Sequence, residues 1–542
     1  MSQDIPTTQH AVLLTGPDQV RLETAKTVPA PGPHQILARV EAVGLCFSDL
    51  KLLHQFSNHP RKGPVISGID PAVLEALSSY VPDDRPTVPG HELSLRIVAV
   101  GVGVAGFRVG ERWLPQPDFR GFKTAGSNGA IGYNFEGGLQ EYVLLDERIL
   151  NDPETGESYM ISVDEAVSAA AVALVEPWGC VECSYATTER NCVKAGGRVL
   201  VITDEGANEL AVQTCFSPDG PPAEITRIGA CDVDTLPDGS FDDVIYFGSR
   251  RETIEALNDK IAAGGIINIV LGGKRIGEPV SVGVGRIHYG PTRWVGTTGS
   301  DPAEGYAVIP ANGELRRGDK VAVIGAGGPM GQMHVIRAVC SGIPGLSVWA
   351  MDVDDARLKS ISAKAETLAR ANGAEFRAVN SKTTSVEEPF TYYALMAPIP
   401  ALLENAINNA APGAVINVFA GIPAPVRHGI DLDALLEKRL FVFGTSGSET
   451  EHMRIVLKKV VDGRLDTLAS VDAVSGMAGA VDGLAAVESR TLAGKILVYP
   501  MLHDLPLTPL FSIGERFPTV ASRMVDGRWT RAAEEELLRV AD

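Results

Sequence analysis

The chain has 542 residues, 45% of them apolar, and a formal net charge of −19. That length accommodates roughly three domains of about 150 residues each, and the acidic balance excludes a nucleic-acid or anionic-membrane surface, both of which need basic patches. No apolar run approaches the roughly 18 residues needed to cross a bilayer, and the N-terminal MSQDIPTTQH has no charged-then-apolar signal pattern, so a cytoplasmic protein is expected.

In chain order, residues 1–190 carry short strand-like runs, AVLLTG, QILARVEAVG, LSLRIVAVGVGV and LQEYVLL, punctuated by Gly and Pro. This is the texture of a small barrel-like β domain. Residues 191–305 and 306–463 alternate apolar strands with helices, which predicts two mostly parallel, doubly wound sheets covered on both faces. Residues 464–500 read as a helix and strand returning to the β domain, and residues 501–542 as a helix-ended tail. The seven cysteines are too few and too irregular for a disulfide framework.

The two α/β stretches are copies of one another. AAGGIINIVLGG from Ala262 aligns with AAPGAVINVFAG from Ala410, and VGTTGS from Val295 with FGTSGS from Phe443, at one offset: 410 − 262 = 443 − 295 = 148. Earlier, GGRVLVIT from Gly196 aligns with GDKVAVIG from Gly318 at 318 − 196 = 122, so the second copy holds about 26 more residues after its first strand. The copies differ at the chemistry. The second reads VAVIGAGGPMG followed by a strand ending at Asp352, which is the order of a dinucleotide-binding βαβ unit: apolar strand, glycine-rich turn into a helix, acidic strand end. Glycines let the backbone approach a pyrophosphate, whose charge the helix N-terminus meets. Asp352 follows Gly331 by 352 − 331 = 21 positions, where a carboxylate holds ribose hydroxyls and repels a 2′-phosphate, favouring NAD over NADP. The loop residues Gly325, Gly327, Gly328, Pro329, Met330 and Gly331, with Asp352 and Arg357, are therefore the expected cofactor contacts. The motif departs from GxGxxG in having Ala326 in the place of its first glycine. At the corresponding turn the first copy has TDEGANE, with Asp204 and Glu205 where phosphates would sit, and is expected to be a structural domain that has lost its nucleotide.

Four segments of the β domain, GLCFSDLK from Gly44, VPGHELSLRIVAV from Val88, EGGLQEYVLL from Glu136 and ALVEPWGCVECSY from Ala173, taken with the later nucleotide fold, resemble the zinc-dependent medium-chain dehydrogenase/reductase superfamily. The resemblance runs over about 500 residues in segment order once the extra domain is skipped. It leans toward the L-sorbose-1-phosphate reductase branch, near the polyol dehydrogenases, through QPDFRGFKTAGSNGAIGYNFEGGLQEY, GGPMGQMHVIRAV and DVDDARL. It implies a GroES-like β-barrel catalytic domain plus two tandem Rossmann-like doubly wound parallel-sheet domains. Relatives commonly dimerise by pairing nucleotide domains at the sheet edge nearest the best-preserved part of this repeat. The edges around Val295 and Phe443 are therefore expected to meet, adjacent and antiparallel, as a pseudo-dimer within one chain.

A catalytic zinc takes three ligands from Cys, His and carboxylate and keeps a fourth position open. The resemblance assigns Cys46, His91 and Glu176 to it. Glu92 is an adjacent ligand or a second carboxylate that exchanges with substrate, and Cys180 is the fallback third ligand. Ser48 matches the family's proton-passing hydroxyl, the alternative being a turn hydrogen bond, and Asp49 braces the site. No cysteine lies between Glu92 and Gln140, so the family's second, four-cysteine zinc site is expected to be absent. Residues 54–88 form an insertion whose Ser57, His59, Arg61 and Lys62 either bind a sugar phosphate or are a solvated basic loop.

The expected activity is hydride transfer between NAD(H) and a secondary alcohol or ketone of a polyol, sugar or sugar phosphate, with Zn2+ and NAD as cofactors. The alternatives are a zinc-free quinone or alkene reductase on the same fold and a non-catalytic NAD-binding sensor. The partners implied are a small-molecule alcohol or carbonyl compound, with no nucleic acid and no membrane; a homo-oligomer is compatible with the sequence.

Overall fold

In the computed structural model, residues 5–207 and 211–541 are described. The chain divides into two units, 1–179 with 448–542, and 180–447. No helix among the described residues is long and apolar enough to cross a membrane.

The first unit is organised around the strand Gln35–Gly44, whose sequence QILARVEAVG is buried at eight of ten positions. Continuous burial suits a strand paired on both sides: it runs antiparallel to Glu92–Val100, Tyr142–Asp146 and Lys495–Val498. The last of these comes from the segment after residue 464, which also supplies the helix Ala480–Ser489 and the strand Val471–Ser475. The 54–88 insertion contributes the short strand Val65–Ser67, paired with Asp118–Thr124. The tail ends in the helix Arg531–Val540. It docks through Trp529, which is buried and donates to the Tyr499 hydroxyl at 3.0 Å, and through Glu534, which accepts from the Ala170 amide at 3.2 Å.

The second unit is one eleven-stranded sheet holding both copies. The second copy lies in the order Glu375–Asn380, Ser347–Asp352, Lys320–Ile324, Tyr392–Leu395, Val415–Val418, Phe441–Phe443, six strands wound outward from Lys320–Ile324 in both directions. The first copy has five, in the order Glu224–Gly229, Arg198–Thr203, Phe241–Phe247, Ile261–Val270, Arg293–Thr297. The longer second copy carries the helix Asp355–Asn372 and the strand Glu375–Asn380, which the first has no counterpart for among the described residues. All pairings within each copy are parallel.

The copies join edge to edge, antiparallel, at Trp294↔Val442. A second antiparallel ribbon joins Val280–Val282 to His428–Ile430, centred on Ser281↔Gly429. Both central pairs are repeat equivalents, since 442 − 294 = 429 − 281 = 148, the offset of the duplication. A residue paired with its own equivalent lies on a twofold axis, so a pseudo-twofold passes through both pairs. The join buries what would be the exposed edge of each half-sheet.

Candidate metal centre and nucleotide loop

Cys46 caps the helix Phe47–Gln55, and His91 and Glu92 sit where the chain enters the strand Glu92–Val100. Register brings the two segments together, because Gly44 pairs with Glu92 across the sheet. Ligand atoms of Cys46, His91 and Glu92 all lie within 4.8 Å of one another. Glu176, in the first turn of the helix Val175–Ala186, does not belong to this set, and neither does Cys180; Glu92 takes the third place. The reason is local: Gly44 has no side chain, and a Cβ there would overlap the Glu92 carboxylate, so the glycine leaves room for Glu92 to turn inward. Glu176 lies close enough to feel the same charges. Burial pushes its carboxyl up to about 7, His91 pulling it down and Glu92 adding to the rise.

Asp49 ties the cluster together. It is 2% exposed, and its Oδ1 accepts from the Gly90 amide and from His91 Nδ1, each at 3.1 Å. Its Oδ2 accepts from the Cys46 amide at 3.0 Å. With Nδ1 engaged by Asp49, Nε2 is the ring nitrogen left for a metal, the arrangement a carboxylate commonly imposes on a metal-binding imidazole. Burial opposes a charge on His91, but Asp49, Tyr133 and the hydrogen bonds to Asp49 and Cys46 together hold its pKa well above the usual value. Ser48 is half-buried in the same helical turn as Asp49.

Sequence reasoning missed Lys495. From the returning strand its Nζ donates to Glu92 Oε1 and to the Leu45 carbonyl, each at 2.6 Å, with the side chain 4% exposed. The only signal was GKILVYP, a lysine leading an apolar strand. Lys495 occupies one oxygen of Glu92, while Oε2 is buried with no hydrogen-bond partner. An orphaned carboxylate oxygen beside a thiol and an imidazole is the donor set a zinc-type ion takes, so these residues fit the metal that the resemblance implies.

The insertion's basic cluster does not behave as a unit. Lys62 is fully buried and donates to the carbonyls of Val81 and, at 2.9 Å, Arg85. Arg61 pairs with Asp118 at 2.8 Å. His59 stacks on Tyr133 at 4.9 Å, and burial, with Arg61 and Lys51 adding to it, lowers its pKa to about 4, which leaves it neutral. Ser57 is exposed.

In the second unit, Gly325 (φ +85°) turns the chain out of Lys320–Ile324, Gly328 caps the helix Pro329–Cys340, and Pro329 is its first residue, followed by Met330. A Cβ on Gly331 would lie 2.3 Å from the Gly325 carbonyl, so helix and strand pack there at backbone contact. Gly328 faces open space. Asp352 Oδ2 accepts from the Gly327 amide at 2.8 Å, fixing the acidic strand end beside the loop, and Arg357 lies 3.8 Å from Asp354. This loop sits where strand order reverses, between the neighbours Ser347–Asp352 and Tyr392–Leu395, the usual ligand position in such sheets. In the first copy the Asp204 carboxylate occupies the equivalent end, accepting from the Tyr246 hydroxyl at 2.8 Å and the Ser249 amide at 3.3 Å. Among the described residues only a single turn, Val212–Cys215, stands where the phosphate-facing helix would be; Asn208 and Glu209 of the TDEGANE turn lie outside the described residues.

Residues 32–152 match the family described as the alcohol dehydrogenase GroES-like domain. L-sorbose 1-phosphate reductase of Klebsiella pneumoniae is 25% identical over 351 residues, 56% of this chain and 78% of that protein. Erythritol/L-threitol dehydrogenase of Mycolicibacterium smegmatis is 35% identical over 269 residues, 43% of this chain but 64% of its own length. The solved 2R,3R-butanediol dehydrogenase from Bacillus subtilis matches with a TM-score of 0.52 at 17% identity, covering 91% of this chain and 100% of that one, a likeness of fold. A GroES-like domain with Rossmann-type sheets defines the class. Together these likenesses support a member of the medium-chain dehydrogenase/reductase superfamily.

Proposed function

We propose that the protein is an NAD- and zinc-dependent dehydrogenase that transfers a hydride between NAD(H) and a secondary alcohol or ketone of a polyol or sugar. The observation that carries this reading is the buried convergence of Cys46, His91 and Glu92, with Glu92 Oε2 lacking any partner. Cys46, His91 and one carboxylate would hold zinc. Glu92 supplies that carboxylate in this proposal, and Glu176, the sequence-based choice, is the neighbouring acid. When bound, zinc acts as a Lewis acid toward an alcohol or carbonyl oxygen. Asp49 orients His91 and anchors the Cys46 turn, Lys495 balances the buried Glu92, and Ser48 passes a proton toward solvent. In the nucleotide unit the amides at the start of Pro329–Cys340 would receive the pyrophosphate, Gly331 permits the close helix packing this needs, and Asp352 would select NAD.

With Lys62 donating to carbonyls and Arg61 held by Asp118, the insertion offers no pair of cations for a phosphate, so we place an uncharged polyol ahead of a sugar phosphate. The relatives named sorbitol, erythritol/L-threitol and butanediol dehydrogenase support that class. The test is absorbance at about 340 nm, with NAD and a panel of polyols, sugars and sugar phosphates, alongside metal analysis. Turnover of at least one polyol, abolished in Cys46→Ser, is expected. Turnover retained in Cys46→Ser, or in protein stripped of metal, would reject the zinc-dependent reading.

A further inference from the structure

We propose that His10, Glu141 and His503 form a second metal site, for a divalent transition ion of the zinc class, at a position none of the chemistry above uses. His10 Nδ1 lies 3.1 Å from Glu141 Oε1, His503 Nε2 meets the same oxygen, and all three ligand atoms fall within 4.8 Å of one another. A tetrahedral ion with bonds of about 2.0–2.1 Å holds its ligand atoms about 3.3 Å apart. His10 and Glu141 already stand near that spacing, and all three atoms lie close enough together for one ion to reach them with small side-chain adjustments.

The scaffold is built, not incidental. His10 belongs to the strand Thr8–Gly16, and Glu141 directly precedes Tyr142–Asp146. The two are locked side by side by Gln9, itself 2% exposed, whose Oε1 accepts from the Tyr142 amide at 2.7 Å. The Glu141 carbonyl accepts from Val40 at 2.8 Å, and the His503 carbonyl from Ala478 at 2.9 Å, so each ligand's backbone is fixed by a different part of the unit. The Glu141 side chain is 4% exposed, whereas those of His10 and His503 are 25% and 45% exposed. They line an open cavity of about 500 Å³, which gives an ion a way in.

The chemistry favours a metal over a simple ion pair. Two imidazoles with ring centroids 4.1 Å apart converge on one buried carboxylate. A dication bound by two neutral imidazoles and the carboxylate uses all three groups at once and leaves a coordination position for water. Two nitrogens and one oxygen, without sulfur, suit zinc-class ions rather than calcium or magnesium, which take oxygen. Bound there, the ion would tie the N-terminal strand to the turn after Lys495–Val498.

The test uses the full chain, stripped with a chelator and titrated with Co2+ while absorbance and bound metal are read together. Two ions per chain are expected, one showing the thiolate-to-metal absorption of a cysteine site and one not. Cys46→Ser should lose the thiolate band and keep one ion, and His503→Ala should keep the band and lose one ion. His503→Gln repeats the measurement should the alanine variant fold poorly. Metal content unchanged by both His503 substitutions, or a Cys46→Ser chain that binds none, overturns the proposal. Absence of the thiolate band with one ion still lost on His503 substitution instead rejects the Cys46 centre and leaves this one standing.

Discussion

Asp49 accepts from three donors at once, the amides of Cys46 and Gly90 and the Nδ1 of His91, and only a carboxylate has lone pairs enough to do so without presenting a proton. An amide in its place turns a donor toward one of them. Asp49→Asn should therefore weaken metal binding by about 10–100-fold, the range for lost partners of a ligating imidazole, as read by competition with a chelator; unchanged affinity would remove Asp49 from the support of the site. Lys495 poses the complementary case. Its removal takes from Glu92 Oε1 the cation that contacts it directly, and in metal-free protein breaking a buried pair of this kind costs about 3–5 kcal/mol. Lys495→Met should lower the denaturant midpoint accordingly, and the loss should shrink in Lys495→Met/Glu92→Gln, where no charge remains to be stranded.

At the scale of elements, the strand–loop–helix from Lys320 to Cys340 depends on Gly331, because any Cβ there meets the Gly325 carbonyl. Gly331→Ala should push the helix off the strand, with about 1–3 kcal/mol of overpacking strain and loss of NAD binding by calorimetric titration. Asp352→Ala should instead leave the fold intact, weaken NAD and relax the preference against NADP; equal wild-type efficiency with the two cofactors would contradict the assignment. The C-terminal helix carries a pH-dependent contact. Burial raises the Glu534 carboxyl to about 7, the hydrogen bonds from Ala170 and Ser168 opposing the rise. The folded-state pKa exceeds the unfolded value of about 4.3, so the contact's contribution is fully present below that value and is lost as pH rises toward 7. The melting temperature should fall across that window, and Glu534→Gln should flatten the fall.

Across the whole second unit, two homologous half-sheets meet about an axis through Trp294↔Val442 and Ser281↔Gly429. An interface inside one chain has no dilution penalty, so its strength should not vary with protein concentration. Val442 is 2% exposed at the centre of that join. Val442→Asp buries an unpaired charge, a change of the class that costs more than about 4 kcal/mol. The loss should be the same at protein concentrations differing fifty-fold; a concentration-dependent loss would place this edge between chains instead.

The sequence by itself determined the features that are local or periodic. A repeat kept in register at one offset, a glycine loop between strand and helix, and Cys46, His91 and Asp49 in short motifs are all set by neighbours in the chain. The offset of 148 put the join around Val295 and Phe443, one position from the pair that meets, Trp294↔Val442, since symmetric pairing can join only equivalents on the axis; the Ser281↔Gly429 ribbon came from the tertiary structure. What the tertiary structure decided is which distant groups share a dielectric environment. Glu92 rather than Glu176 completes the three-residue cluster because Gly44, across the sheet, leaves it space. Lys495 reaches Glu92 from 403 residues away, and His503 reaches Glu141 from 362 positions along the chain, through strand pairings that no local pattern encodes. Lys62, by spacing a surface cation, is instead buried with its ammonium donating to the carbonyls of Val81 and Arg85, and that burial, set by the tertiary packing, lowers its pKa to about 8.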